Sequence, residues 1–334
     1  MSSLSLVSSL FLLFVSVSLA ALPSCRPPLQ HPSPGKGLGV FASYDLEIGT
    51  IIMREPAILG IPPPKYAKGT GYPMAEISRL VRAAYERLSK DDQDEFSALT
   101  YHAHPGELEQ EGSDVLGFIF RTNAYDTGGD ISVFPKIARI NHSCRPNAAY
   151  YWNEKLQKRV IYASRNITRG EEITVSYIPL LLDSSQRQRR LNQYGFACTC
   201  SACAQPPQNL SASNERRSVI RQAFNAFKPQ LTLDVPTSPA LLEKARRNAE
   251  TSLQLAELVE EEGLGDFYAM AYRVVAITHA KVEDWEKATV WANKGYKIRV
   301  MEDPESAYTR EMHSLTSRCI ENWENQLKNV TGKK

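Results

Sequence analysis

Arg139-Ile140-Asn141-His142-Ser143-Cys144-Arg145-Pro146-Asn147 packs two hydrogen-bonding side chains, a thiol and a chain-stiffening proline into nine residues. That is more polar chemistry than an ordinary turn carries. Two later stretches share the character. Gly170-Glu171-Glu172-Ile173-Thr174-Val175-Ser176-Tyr177 reads as a turn feeding a strand that ends on a tyrosine, and Cys198-Thr199-Cys200-Ser201-Ala202-Cys203 places three thiols within six residues. Structural zinc takes four sulfur or nitrogen ligands in a tetrahedron, so a fourth must come from elsewhere in the chain.

Short strands are predicted around the central stretch at Ile131–Phe134, Ala148–Trp152, Val160–Ser164 and Ile173–Tyr177. Upstream, a Pro-rich lead runs into Gly35-Lys36-Gly37-Leu38-Gly39-Val40-Phe41-Ala42, whose glycines permit tight turns and close approach to the main chain. It is no dinucleotide fingerprint, because no strand is read before it and no helix after it. Ile51-Ile52-Met53 reads as a buried strand. From Met74 to about Tyr101 the spacing turns helical, with Ile77, Leu80, Val81, Ala84, Tyr85 and Leu88 on one face, and a second helical stretch covers Asp114 to Arg121. Asp183 or Ser184 can cap a helix through Gln186 to Tyr194 that stops at Gly195. Beyond Cys203, Pro206-Pro207-Gln208-Asn209 marks a linker. Apolar spacing near 3.6 then predicts helices over Leu241–Glu262, Asp266–Ala280, Trp285–Val300 and Pro304–Leu327. The class is α+β, with an irregular β-rich core.

Composition limits the partners. Hydrophobic residues make up 43% of the 334 and charged residues 23%, which is ordinary for a globular protein. Lys plus Arg number 39 against 37 Asp plus Glu, without a block of like charge, so nothing calls for a nucleic-acid or anionic-membrane surface. Six cysteines are too few for a disulfide scaffold of this length. The compartment stays open. Leu10–Leu19 with Ser18, Ala20 and Ala21 reads as a signal peptide over residues 1–20, too short to span a bilayer, while its n-region lacks Lys and Arg. Metal-ligating thiols point instead to the cell interior, nucleus or cytoplasm.

Together the three stretches resemble the SET-domain protein lysine methyltransferases, nearest to SMYD-like and related fungal members, over roughly Gly35 to Cys203. The resemblance implies a SET core over 21–204 with a helical insertion near 62–130, and a helical C-terminal region over 205–334. It implies transfer of a methyl group from S-adenosylmethionine to a lysine of a protein or peptide substrate, by a chain expected to be monomeric. Lys36, Gly37 and Gly39 match the family's cofactor-cradling turn, and Asn123, Asn141 and His142 match further cofactor contacts. Phe196 matches the aromatic that packs on the adenine, and Tyr177 the catalytic tyrosine, also counted among the cofactor contacts. Cys144 matches the residue that completes a structural zinc site with Cys198, Cys200 and Cys203. Asn147 and Arg139 are expected to hold the knot-like chain crossing of the fold. One departure is clear: no cysteine lies between Cys25 and Cys144 to build the MYND finger of SMYD proteins. A catalytically silent SET-like module that binds peptide, and a secreted disulfide-stabilised binding protein, are the alternative readings.

Overall fold

A computed structural model describes residues 28–64 and 73–331. The expected signal peptide, residue Cys25 and residues 65–72 of the insertion lie outside the described residues. None of the described helices is long and apolar enough to cross a membrane.

In chain order the first elements are β1 (Leu29–Ser33), β2 (Gly37–Phe41), β3 (Ile51–Glu55) and β4 (Leu59–Ile61). The insertion follows as α1 (Met74–Tyr85), α2 (Lys90–Ser97) and α3 (Val115–Asn123). The core resumes with β5 (Ala124–Asp126), β6 (Ile131–Val133), β7 (Asn141–His142), β8 (Ala148–Asn153), β9 (Lys158–Ala163) and β10 (Glu172–Val175). Then come α4 (Ser184–Leu191), α5 (Pro207–Phe227), α6 (Pro239–Glu261), α7 (Tyr268–Ala280), α8 (Trp285–Glu302) and α9 (Ala307–Thr331). The strands make small sheets in the orders β1-β2-β10-β7, β3-β9-β8 and β4-β6-β5. Half of the described residues are helical and 15% are strand, and the β character lies in the core around the central stretch.

Three sequence expectations are corrected. A strand does precede the glycine turn: β1 pairs antiparallel with β2 from Leu29↔Phe41 to Ser33↔Gly37. Its proline, Pro32, is tolerated because β1 is an edge strand, where a missing N–H breaks no interior ladder. The Pro206-Pro207 segment is the start of α5 and no linker, since proline in the first helical turn lacks only an N–H that the helix leaves unpaired. The helix expected from Met74 to Tyr101 is two, because the Ser89 hydroxyl accepts from Asp92 N (3.2 Å) and starts α2 afresh. The cap at Asp183 (accepting from Gln186 N, 2.8 Å) and the left-handed Gly195 (φ 77°) are found where expected.

Packing joins these parts. Val40, Phe134, Ile137, Ile140, Ile161 and Ile173 form the core under the central stretch, and Leu59, Val81, Phe96 and Phe118 seat the insertion. A third core runs through Cys144, Leu180, Leu191 and Ala202 into Ile220, Leu255 and Val275 of α5, α6 and α7. The helical tail therefore packs directly on the cysteine stretch.

The crossing of the chain is held by Asn147, 1% exposed. Its amide donates to Glu172 O (2.9 Å) and Glu171 Oε1 (3.0 Å), and its Oδ1 accepts from Thr174 N (2.7 Å). These bonds fix β10 beside β7, which pair in parallel as Thr174↔Asn141 and Val175↔His142. Arg139 serves elsewhere, donating to Ala98 O (2.9 Å) and so tying the insertion to the core. Its long side chain reaches past the crossing to the end of α2. Asn147→Ala strands a buried N–H and a buried carbonyl, and is expected to lower unfolding stability by on the order of 3 kcal/mol in urea titration. Asn147→Asp, which keeps the acceptor for Thr174 N, places a charge against Glu171 and should not restore it.

Candidate active site and cysteine cluster

The glycine turn and the strand Glu172–Val175 meet edge to edge, Glu172↔Phe41 and Ile173↔Val40. This brings the side chains of Lys36, Asn141 and Glu172 over Gly39. A Cβ on Gly39 would lie 2.6 Å from Glu172 Oε1 and 3.1 Å from Asn141 Nδ2, so only glycine leaves room for both. Asn141 Nδ2 donates to Leu38 O (3.0 Å) and Glu172 Oε1 (2.8 Å), and Lys36 Nζ pairs with Glu172 Oε2 (2.9 Å). Burial raises the Glu172 pKa, but hydrogen bonds from Asn141, Lys36 and Ser33 outweigh it and hold the carboxyl below the usual range. Glu172 was not singled out in the sequence because an acid opening a strand reads as a solvated edge. Gly35 and Gly37 have φ of 74° and 76°, the left-handed values that let the turn close.

His142 is buried beneath this floor. Its Nδ1 accepts from Tyr177 N (3.1 Å), which assigns the proton of the neutral ring to Nε2, 3.3 Å from Cys144 Sγ. Burial lowers its pKa to about 4, so the ring is neutral at physiological pH. Tyr177 donates its hydroxyl to Ile140 O (2.6 Å), and burial raises its pKa above that of a free phenol. The rings of His142 and Tyr177 lie 5.3 Å apart between centroids, Tyr177 and Tyr194 5.0 Å, and His142 and Phe196 6.2 Å. Tyr194 belongs to this aromatic group although its sequence position reads only as a helix end. On its other side Tyr177 opens into a cleft of about 560 Å³, walled by Tyr150, Ser176 and Leu180 of the core and by Asp266, Phe267 and Glu302 of the tail.

Asn123 stands apart from this group. It ends α3, and its amide donates to Ile119 O (2.8 Å) and Thr100 O (2.8 Å), a local duty within the insertion.

The cysteines converge. After the left-handed turn at Gly195 the chain carries Cys198, Cys200 and Cys203 back onto Cys144, and the four Sγ atoms lie within 4.8 Å of one another. The Cys144–Cys203 sulfur separation is 3.7 Å. A tetrahedron with zinc–sulfur bonds of about 2.3 Å has edges of about 3.8 Å, so the four sulfurs fit zinc. Cys144 N donates to Cys200 Sγ (3.3 Å), a bond that favours thiolate. Cys319 lies among the tail helices and takes no part.

Residues 37–178 match the SET domain family. The chain is 29% identical, over 87% of its length and 82% of the relative's, to the histone-lysine N-methyltransferase set5 of Schizosaccharomyces pombe. It is 36% identical to human histone-lysine N-methyltransferase SMYD3 over 29% of this chain and 23% of that protein. Among solved structures, the SET domain of LSMT bound to lysine and AdoHcy aligns with 87% of this chain and 92% of that one, at 15% identity and a TM-score of 0.37. Residues 37–178 therefore form a SET domain, and the chain is homologous to the set5 and SMYD histone-lysine methyltransferases.

Proposed function

We propose that the protein transfers the methyl group of S-adenosylmethionine to the side-chain nitrogen of a lysine in a protein substrate. The observation that carries this reading is the position of Tyr177, which packs against His142 and also lines the cleft. Lys36, Gly37, Gly39, Asn141 and His142 would hold the cofactor, with Phe196 against its adenine. Asn123 can join them only through its backbone or Oδ1, since its amide donates to Thr100 and Ile119. The cofactor supplies an electrophilic methyl on a positively charged sulfur.

Tyr177 spends its proton on Ile140 O, which leaves oxygen lone pairs to accept an N–H of the incoming amine and aim the nitrogen. As a neutral phenol it takes no proton from the amine. The amine must arrive uncharged: Tyr150, Tyr177 and Phe267 in the cleft disfavour the ammonium form by desolvation, against Asp266 and Glu302 on the tail wall, whose carboxylates favour it when ionised. Its proton leaves to solvent. Cys144, Cys198, Cys200 and Cys203 would hold one structural zinc, whose binding fixes Phe196 two residues before the first of the three clustered ligands. The names of the homologues make histones the first acceptors to screen.

Calorimetry with S-adenosylmethionine on the purified chain is expected to give binding near one to one, with one zinc per chain by metal analysis. Tyr177→Phe is expected to keep that binding while methyl transfer falls on the order of 100-fold. A zinc-loaded chain that does not bind the cofactor would sink the reading.

Glu172 adds a pH dependence. Its folded-state pKa is depressed, so its contribution to stability is full above the unfolded value of about 4.3 and is lost as pH falls through the lower folded value. Glu172→Gln should therefore flatten part of the acid limb of the stability profile below about pH 4.3, read by thermal melts across pH 2 to 6. An unchanged acid limb would show that Glu172 titrates alike in both states.

A further inference from the structure

Two guanidiniums are the bulkiest fully buried side chains among the described residues. Arg187 of α4 and Arg217 of α5 each have no exposed surface, and both lie against the cysteine cluster. Arg187 Nη1 donates to Leu182 O (2.7 Å), and its Nη2 reaches Cys203 Sγ at 4.0 Å. Its Nε is buried without a hydrogen-bond partner. Arg217 Nη2 donates to Cys144 O (3.0 Å), Nη1 to Leu180 O (2.6 Å) and Nε to Glu262 Oε2 (3.0 Å). Interiors rarely hold an arginine without a matching anion, because desolvation of the ion is costly.

The local anions do not match the cations. Glu262, itself fully buried, pairs with Arg145, Arg216 and Arg217, and Arg216 also meets Glu261. Among the fully buried groups Arg187 and Arg217 meet the one carboxylate of Glu262, which the partly exposed Arg145 and Arg216 also share, so buried positive charge is in excess. Four neutral thiols would leave that excess uncompensated. Four thiolates around a divalent zinc carry two negative charges and would offset it.

We infer that Arg187 and Arg217 are the counter-charges of the metal-loaded cysteine cluster, so that metal binding and the docking of α4 and α5 on the core are one coupled event. The inference rests on the zinc reading proposed above. Both arginines act as positioning residues. Through Leu180 O and Leu182 O they also pin the segment that leaves Tyr177, so the state of the cluster is felt at the wall of the cleft. Without metal Arg187 is left buried with no anion, and Arg217 keeps only Glu262, which it shares with Arg145 and Arg216. The interface between core and tail is then strained by the charges that hold it together in the loaded form.

The test is chelator competition for zinc on the full chain, with Arg187→Met, Arg217→Met and Arg187→Lys. Each methionine variant is expected to bind zinc about 10- to 100-fold more weakly, the range for losing an outer-shell partner, and Arg187→Lys to recover part of that loss. A purely packing role is separated by urea melts of wild type and Arg187→Met, run with zinc and after chelation. Charge balance predicts that the deficit of the variant shrinks or reverses once the metal is gone. An equal deficit in both conditions, or unchanged zinc affinity, overturns the inference while leaving the metal reading standing. Wild-type chain that holds no zinc overturns both. If the methionine variants do not fold, Arg187→Gln carries the same paired comparison, since it removes the charge and keeps an amide donor toward Leu182 O.

Discussion

The Asn147 side chain holds Glu172 O and Thr174 N of β10, and the arrangement of the site depends on those bonds. They keep two short strands side by side in parallel although each is too brief to hold its own register. Once Thr174 faces Asn141, the remaining geometry follows: Val175 faces His142, Tyr177 N meets His142 Nδ1, and Glu172 reaches Asn141 and Lys36 over Gly39. A slip of one residue would turn every one of these side chains to the opposite face.

The cysteine cluster is the second constraint, and it works across the chain. Cys144 comes from the central stretch, and Cys198, Cys200 and Cys203 from a loop beyond α4. The loop has few apolar residues of its own, so its shape depends on the helices packed behind it and on the convergence of its sulfurs with Cys144. Leu191, Ile220 and Leu255 supply the apolar backing, and the arginine–glutamate network supplies the charge. The helical tail thus shares a core with the SET segment, and its Asp266, Phe267 and Glu302 form one wall of the cleft that Tyr177 also lines.

Much of this was legible in the chain. The strands near Ala148 and Val160, the cap at Asp183, the stop at Gly195 and the tail helices from α6 onward rest on local signals of period and capping. Where those signals misled, proline was the cause twice. Pro32 concealed an edge strand, and Pro206-Pro207 looked like a linker while opening a helix of 21 residues. In both cases proline is compatible with the element at one end or edge, which a local reading cannot know.

The sequence alone determined which residue types are present at which spacing: the glycine turn, the Asn-His-Ser-Cys stretch, the strand ending at Tyr177 and the three clustered thiols. That was enough to point to a SET domain, because each motif is short and its chemistry is carried by neighbours in the chain. Tertiary structure decided the pairings between distant residues. Asn141 and Leu38 are 103 residues apart, Arg217 and Cys144 are 73 apart, and Arg145 and Glu262 are 117 apart. Glu172, Tyr194, Arg187 and Arg217 gained their places at the site only through such contacts. No local period or cap encodes them, since burial and charge compensation are properties of the folded neighbourhood and not of the adjoining residues.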